Sequence, residues 1–294
     1  MAEEKTELMV NHDPNLQTPI GIFDSGVGGL SVLKAIRQQL PHEKIIFIAD
    51  QTHVPYGPRP LEEVRAYSEA ITRFLLGEGA KVIVVACNTA SAAALLWLRQ
   101  TFPEVPFVGM EPALKPAAET TQSGVVGVLA TPATFQGALY ASVVERFAQG
   151  VKVLQHTCPG LVAQIEAGRM VGPEARAILE AALQPMLAQS IDTIVLGCTH
   201  YPFVIPLIEE ITGPTVRVID PAPAVARQTR RVLEARGVTN PRLETNLNNK
   251  PDPIYYTTGQ PELLSQLLPI LLGETGQVSQ LVWQADKLVK PTPF

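Results

Sequence analysis

What most constrains this chain is an alternation. Short runs of Val, Ile and Leu recur, each broken by a polar or Gly-rich turn before a segment with helical spacing. IGIFD (20–24) stops at SGVGG and is followed by LSVLKAIRQQL. KIIFIAD (44–50) runs into THVPYGPRP and then LEEVRAYSEAITRFLL, which carries Val64, Tyr67, Ile71 and Phe74 on one face and ends at Gly77 and Gly79. KVIVVA (81–86) and VPFVG (105–109) continue the series. Uninterrupted β-branched runs of this length suit strands buried on both faces, and strands alternating with helices predict parallel sheets covered on both sides.

The series then starts again, with GVVGVLA (124–130), VKVLQ (151–155), TIVLG (193–197) and TVRVID (215–220) as strands. A helical region containing Glu166 separates the second and third of these. VIVVACNT (82–89) and TIVLGCTH (193–200) share one form: strand residues, a small residue, Cys, then two polar residues. From Asp24 to Cys87 is 63 positions, and from Thr131 to Cys198 is 67. The expectation is two similar, doubly wound α/β domains related by a pseudo-twofold, with a cleft between them. The first takes residues 19–111 and 222–288, where the strand-like PIYYTTG (253–259) and a following helix return to it; the second takes 112–221. Residues 1–18, acidic and polar with no apolar core, read as a disordered extension rather than a signal peptide.

Composition narrows the function. With 294 residues, 46% hydrophobic, the chain has length for two domains and a sizeable core. A net charge of -5 and a pI near 5.6 argue against a nucleic-acid surface. Three widely spaced cysteines without a CxxC pair argue against a disulfide framework and point to a reducing cytoplasm. VIVVACNTASAAALLWL is nearly long enough to span a membrane, but Asn88, Thr89 and Ser91 interrupt it; a buried strand running into a buried helix explains it better.

In open α/β sheets, ligands bind beyond the carboxyl ends of strands where strand order reverses. That rule gathers Asp24-Ser25 with Cys87-Asn88-Thr89 in one domain, and Thr131 and Thr134 with Cys198-Thr199-His200 in the other. A cysteine just before a helix meets unpaired N–H groups that lower a thiol's pKa. Each feature has a plainer reading. A cysteine ending an apolar strand is usually a small hydrophobe, and Cys158, with no counterpart, is taken as structural. His200 serves equally as a core or capping residue, Tyr56 as turn packing, and Glu166 as a solvated helix residue. DSGVGG lacks the third glycine of a dinucleotide loop and the lysine of a P-loop, so its N–H groups suit a carboxylate as well as a phosphate. The spacing of Cys87, Cys198 and His200 gives no support to a zinc site. Two thiols at matching positions in matched halves favour chemistry: one removes a proton from a carbon and the other returns one to the far face, inverting a stereocentre. Since an α-proton of an amino acid is very weakly acidic, desolvation and fixed donors must stabilise the carbanionic transition state.

DSGVGGLSV, DQTHVPYGPRP, VVACNTASA, LATPAT and VLGCTHYP together resemble the glutamate racemase family of the aspartate/glutamate racemase superfamily, over residues 19–275. The resemblance implies a cofactor-independent, metal-free isomerase that supplies D-glutamate for peptidoglycan, as a cytoplasmic homodimer. It implies that Cys87 deprotonates D-glutamate and Cys198 L-glutamate, with Asp24 assisting the first thiol and Glu166 and His200 the second. It implies substrate contacts from Asp24, Ser25, the Pro55-Tyr56-Gly57 turn, Asn88, Thr89, Thr131, Thr134 and Thr199. The segment CPGLVAQIEAG keeps Glu166 but departs from the commoner family pattern around it. The competing readings are a relative acting on aspartate, a two-lobed carboxylate-binding module, and a thiol redox protein.

Overall fold

The structure, a computed structural model, describes residues 18–240 and 250–291. The expected N-terminal extension lies, but for Thr18, outside the described residues. The first half opens with β1 (Ile20–Asp24), α1 (Leu30–Gln39), β2 (Ile45–Ala49), α2 (Leu61–Gly77), β3 (Val82–Val85), α3 (Asn88–Thr101) and β4 (Phe107–Gly109). Strands β1, β2 and β3 are buried at every position, as their unbroken apolar composition requires in a sheet packed on both faces.

After α4 (Leu114–Thr120) the pattern repeats. It runs through β5 (Val125–Ala130), α5 (Pro132–Gln136), α6 (Ala138–Phe147), β6 (Lys152–His156), α7 (Leu161–Glu166), α8 (Pro173–Leu187), β7 (Thr193–Gly197), α9 (Ile205–Thr212) and β8 (Arg217–Ile219). The strand orders are β2-β1-β3-β4 in the first half and β6-β5-β7-β8 in the second, all parallel. Each sheet therefore reverses direction between its first and third strands, β1/β3 and β5/β7, and a parallel sheet opens its ligand crevice at such a point. The edge strand β6 is half-exposed, which its Lys152, Gln155 and His156 allow.

The chain then returns. Helix α10 (Ala222–Ala235) packs against α1, and β9 (Ile254–Thr257) pairs in parallel with β2. After α11 (Pro261–Leu272), β10 (Val278–Gln280) extends the first sheet to six strands. A hairpin of β11 (Val282–Gln284) and β12 (Lys287–Val289) follows, which the sequence reading did not anticipate. Strands of three residues carry too little alternation to stand out from a loop.

Among the described residues no helix is long and apolar enough to cross a membrane. The apolar stretch around Cys87 divides there into β3 and α3 because Cys87 caps the helix, its sulfur accepting from the Ala90 N–H at 3.4 Å.

Candidate active site

The carboxyl ends of β1, β3, β5 and β7 converge on one small cavity of about 20 Å³, room for about one water molecule. Ser25, Cys87, Asn88 and Thr89 line it from the first half, and Thr131, Cys198, Thr199 and His200 from the second. The Pro55-Tyr56-Gly57 turn after β2 closes one side, and Val162 of α7 adds an apolar wall that no sequence signal marked. Asp24, Glu166 and Thr134 stand one layer back and act on the lining residues.

On the Cys87 side, Asp24 is fully buried. The Gly29 N–H donates to its carboxylate at 2.7 Å, and the hydroxyls of Ser25 and Thr199 approach at 3.4 Å. The Cys87 thiol itself reaches the Ser25 hydroxyl at 3.9 Å, and the charge of Asp24 acts on it. Burial raises the proton affinity of Asp24 despite the charge of His200 and these donors. Burial and then the Asp24 charge push the Cys87 thiol well above its ordinary value, outweighing the Ala90 N–H. The expectation that a helix N-terminus lowers this thiol's pKa is therefore corrected: desolvation and a neighbouring carboxylate dominate one N–H donor.

The Cys198 side is built differently. No α-helix starts directly after Cys198, because Pro202 and Pro206 restrict the chain to a 3-10 turn over Tyr201–Val204 before α9. The neighbour of Cys198 is instead His200, whose Nδ1 lies 3.8 Å from the sulfur. His200 Nε2 meets Glu166 Oε1 at 2.6 Å. Glu166 is thus no solvated helix residue. Its Oε1 also accepts from the Val27 N–H at 2.7 Å, and its Oε2 from the Gln51 amide at 2.9 Å. Burial opposes the charge on Glu166, yet His200 and these donors hold the carboxyl below its ordinary value. Burial likewise opposes a charge on His200, but Cys198 and Glu166 raise its pKa well above the ordinary imidazole range. Protonated His200 places a positive charge beside the second thiol.

These contacts explain the glycines of DSGVGG. A Cβ on Gly26 would lie 1.9 Å from Glu166 Oε1, and one on Gly28 would lie 2.4 Å from His200 Nδ1. Only glycine lets this loop press against the other half. Its N–H groups, which seemed suited to a ligand carboxylate, are used by the protein's own: Val27 donates to Glu166 and Gly29 to Asp24.

The remaining polar groups divide into engaged and free. Thr89 and Thr131 meet across the cavity through their hydroxyls at 2.9 Å, and Thr134 braces Thr131 from behind at 2.9 Å. Tyr56 turns its hydroxyl away to Asp50, at 2.6 Å. Asn88 is buried with neither its amide oxygen nor its nitrogen hydrogen-bonded to protein. An unpaired buried amide is costly, and Asn88 is one of the cavity's lining residues. Cys158 is buried away from the cavity, with its thiol pushed up to about 12 by burial and by Cys198, and packs in the main core. Among the described residues no three His, Cys, Asp or Glu side chains gather in a group that could hold a metal ion.

The family profile of Asp/Glu/Hydantoin racemases matches residues 20–229. Glutamate racemase of Pseudomonas aeruginosa is 50% identical over 263 residues, covering 90% of this chain and 97% of that one. The chain belongs to the glutamate racemase family. It is accordingly an amino-acid isomerase, and the binding-module and redox readings give way. Among solved structures, the RacE1 isoform of glutamate racemase from Bacillus anthracis superposes with a TM-score of 0.81 at 33% identity, covering 92% of this chain and 98% of that one. Glutamate racemase of Escherichia coli, solved with L-glutamate and the activator UDP-MurNAc-ala, gives 0.77 at 31% identity, covering 94% and 100%. The members of this family share the two-domain α/β architecture seen here.

Proposed function

We propose that this enzyme interconverts L- and D-glutamate with two cysteines and no cofactor. The observation that carries the reading is the pair of thiols: Cys87 after β3 and Cys198 after β7, topologically equivalent, line one cavity from the two halves of the molecule. In this reading Cys198, as thiolate, takes the α-proton of L-glutamate, leaving a carbanion whose other face receives the proton of the Cys87 thiol. The products are D-glutamate, a Cys198 thiol and a Cys87 thiolate. The return direction exchanges the two roles. Asp24, whose proton affinity burial raises, matches Cys87 as a proton partner, and His200 held by Glu166 serves Cys198.

Asn88, the hydroxyls of Ser25, Thr89, Thr131 and Thr199, and the backbone of the Pro55-Tyr56-Gly57 turn hold the carboxylates and amine. Thr134 contributes by fixing Thr131. Glutamate is several times larger than the cavity, so it enters as the halves part and reacts as they close, which excludes water and strengthens every fixed dipole. The division at 111/112 and 221/222 belongs to this reading, with β4 ending at Gly109 and β8 at Ile219. So do a cytoplasmic location, a homodimer and supply of D-glutamate to peptidoglycan.

Proton NMR in D2O, with EDTA and without pyridoxal phosphate, tests the chemistry. Deuterium should enter the α-position of either enantiomer with racemisation, and racemisation should vanish in Cys87→Ala and Cys198→Ala. Undiminished racemisation in either folded variant would overturn the two-thiol mechanism.

A further inference from the structure

Gln51 lies outside the cavity, yet it is one of only two groups from the first half that reach Glu166 among the contacts of the described residues. The other is the Val27 N–H. A backbone N–H is fixed by the fold, whereas a side-chain amide must be held and turned the right way round. The residues behind Gln51 do both.

The Gly259 N–H donates to Thr257 Oγ1 at 3.0 Å, and Thr257 Oγ1 donates to Gln51 Oε1 at 2.7 Å. Glu166, a carboxylate, only accepts, so Gln51 turns its NH2 group to it and its amide oxygen to Thr257, whose hydroxyl proton that oxygen accepts. The loop itself is clamped: Thr52 donates to Thr258 through its N–H at 2.9 Å and through its hydroxyl at 2.7 Å. Gly259 leaves no slack, since a Cβ there would lie 2.9 Å from the Gln51 Cβ. The donors therefore run one way from the end of β9 to Glu166, through Gly259, Thr257 and Gln51, and the Glu166 carboxylate accepts from His200, the neighbour of Cys198, on its other side.

We infer that Gln51, oriented by Thr257, is a positioning residue for the Cys198 half-reaction, delivered to Glu166 from across the cleft. The inference rests on the two-thiol reading above. Asp24, the partner of the other thiol, takes its backbone donor from Gly29 in its own half and, among the described residues, shares no hydrogen bond with this chain, which acts on it only through the charge of His200. When the halves part, Glu166 and His200 stay together while Gln51 and Val27 withdraw. Closure restores the fixed carboxylate that aims His200 at Cys198. A defect at Gln51 should consequently raise the barrier for proton transfer at Cys198 and leave that at Cys87 alone.

The test must separate the two transfers. The ratio of kcat/KM between directions is fixed by the equilibrium constant, so a one-sided defect cannot appear there. It appears in the primary deuterium isotope effect, measured on kcat/KM with each α-deuterated enantiomer. In Gln51→Leu, kcat/KM should fall on the order of ten-fold in both directions, the loss of a hydrogen bond to a charged group. The isotope effect should rise for L-glutamate, whose proton goes to Cys198, and decline for D-glutamate. His200→Asn calibrates the sense of a Cys198-side defect. Thr257→Val, whose hydroxyl is remote from the cavity, should give the same opposed shifts at smaller size, and it decides the matter if Gln51→Leu fails to fold. Isotope effects that stay put, move together or diverge in the sense opposite to His200→Asn would overturn the role of Gln51. Wild type that does not racemise, or Cys198→Ala that does, would instead remove the two-thiol reading beneath it.

Discussion

Gly28→Ala measures how closely the halves must approach. The added Cβ would stand 2.4 Å from His200 Nδ1 and 2.7 Å from Thr199 Oγ1, where ordinary contact begins at 3.4 Å. Something must move by about 1 Å, the difference between the first and last of these distances. His200 cannot retreat freely, because Glu166 holds its other nitrogen at 2.6 Å and the residue is buried. Either the imidazole leaves the Cys198 sulfur or the cleft stays ajar. A misplacement of this size costs roughly a hundred-fold in rate, and overpacking costs about 1–3 kcal/mol of stability. Initial rates followed by polarimetry from each enantiomer, beside a thermal melt, give both numbers. Gly77→Ala is the control: a Cβ there meets nothing within 4 Å, and α2 gains a better helix former. It should keep full activity and hold or raise the melting temperature. If Gly28→Ala kept kcat within about three-fold of wild type at an unchanged melting temperature, the halves would not need the close approach that Gly28 allows.

Two further outcomes separate binding from folding and fix a sign. Asn88→Ala removes a buried amide that makes no hydrogen bond to protein, so the substrate-free enzyme should lose no stability, and KM should rise about ten-fold; a melting temperature that falls while KM holds would show a structural role instead. For Cys87, thiolate absorbance near 240 nm in wild type minus Cys87→Ser should be absent at pH 8 and grow only well above the ordinary thiol range, because burial and Asp24 raise its pKa. The linkage has a definite direction. Above the unfolded-state value the unfolded chain binds fewer protons than the native one, so stability falls as pH rises, and Cys87→Ser should lose less stability than wild type over that alkaline window. A thiolate signal already complete at pH 8 would contradict the burial argument.

The strands, their parallel pairing and the two cysteines were legible in the sequence because each is written locally. A β-branched run, a small residue and a polar turn need no distant partner to be recognised, and the duplication of VVACNT in VLGCTH named both thiols. Glu166 was not legible as a member of the candidate site on those grounds. What makes it one is His200, Val27 and Gln51, the last two 139 and 115 positions away, and only the family resemblance marked it. Gln51 carried no signal at all. The glycines of DSGVGG were visible, but their reason was not: they make room for the other half rather than for a ligand. The thiol acidity expected from a helix N-terminus failed for a related cause. A local dipole can be read from a sequence, whereas burial beside Asp24 is a property of the closed fold.

Duplication also explains why the two halves need not be chemical equals. The common topology fixes where each sulfur stands, after the third strand of its sheet, and the two faces of a carbon between them demand no more symmetry than that. The partners differ: a buried carboxylate at Cys87, and an imidazole held by a carboxylate at Cys198. Free L- and D-glutamate are equal in energy, but bound to a chiral site they are not. Unequal partners can therefore make the two complexes, and the two kcat values, differ without touching the equilibrium. Whatever one direction gains in kcat it must return in KM, so the cost of the asymmetry falls on saturation behaviour alone. A fold that duplicates its scaffold but not the neighbours of its two sulfurs is thereby free to favour one direction at high substrate concentration while remaining a racemase.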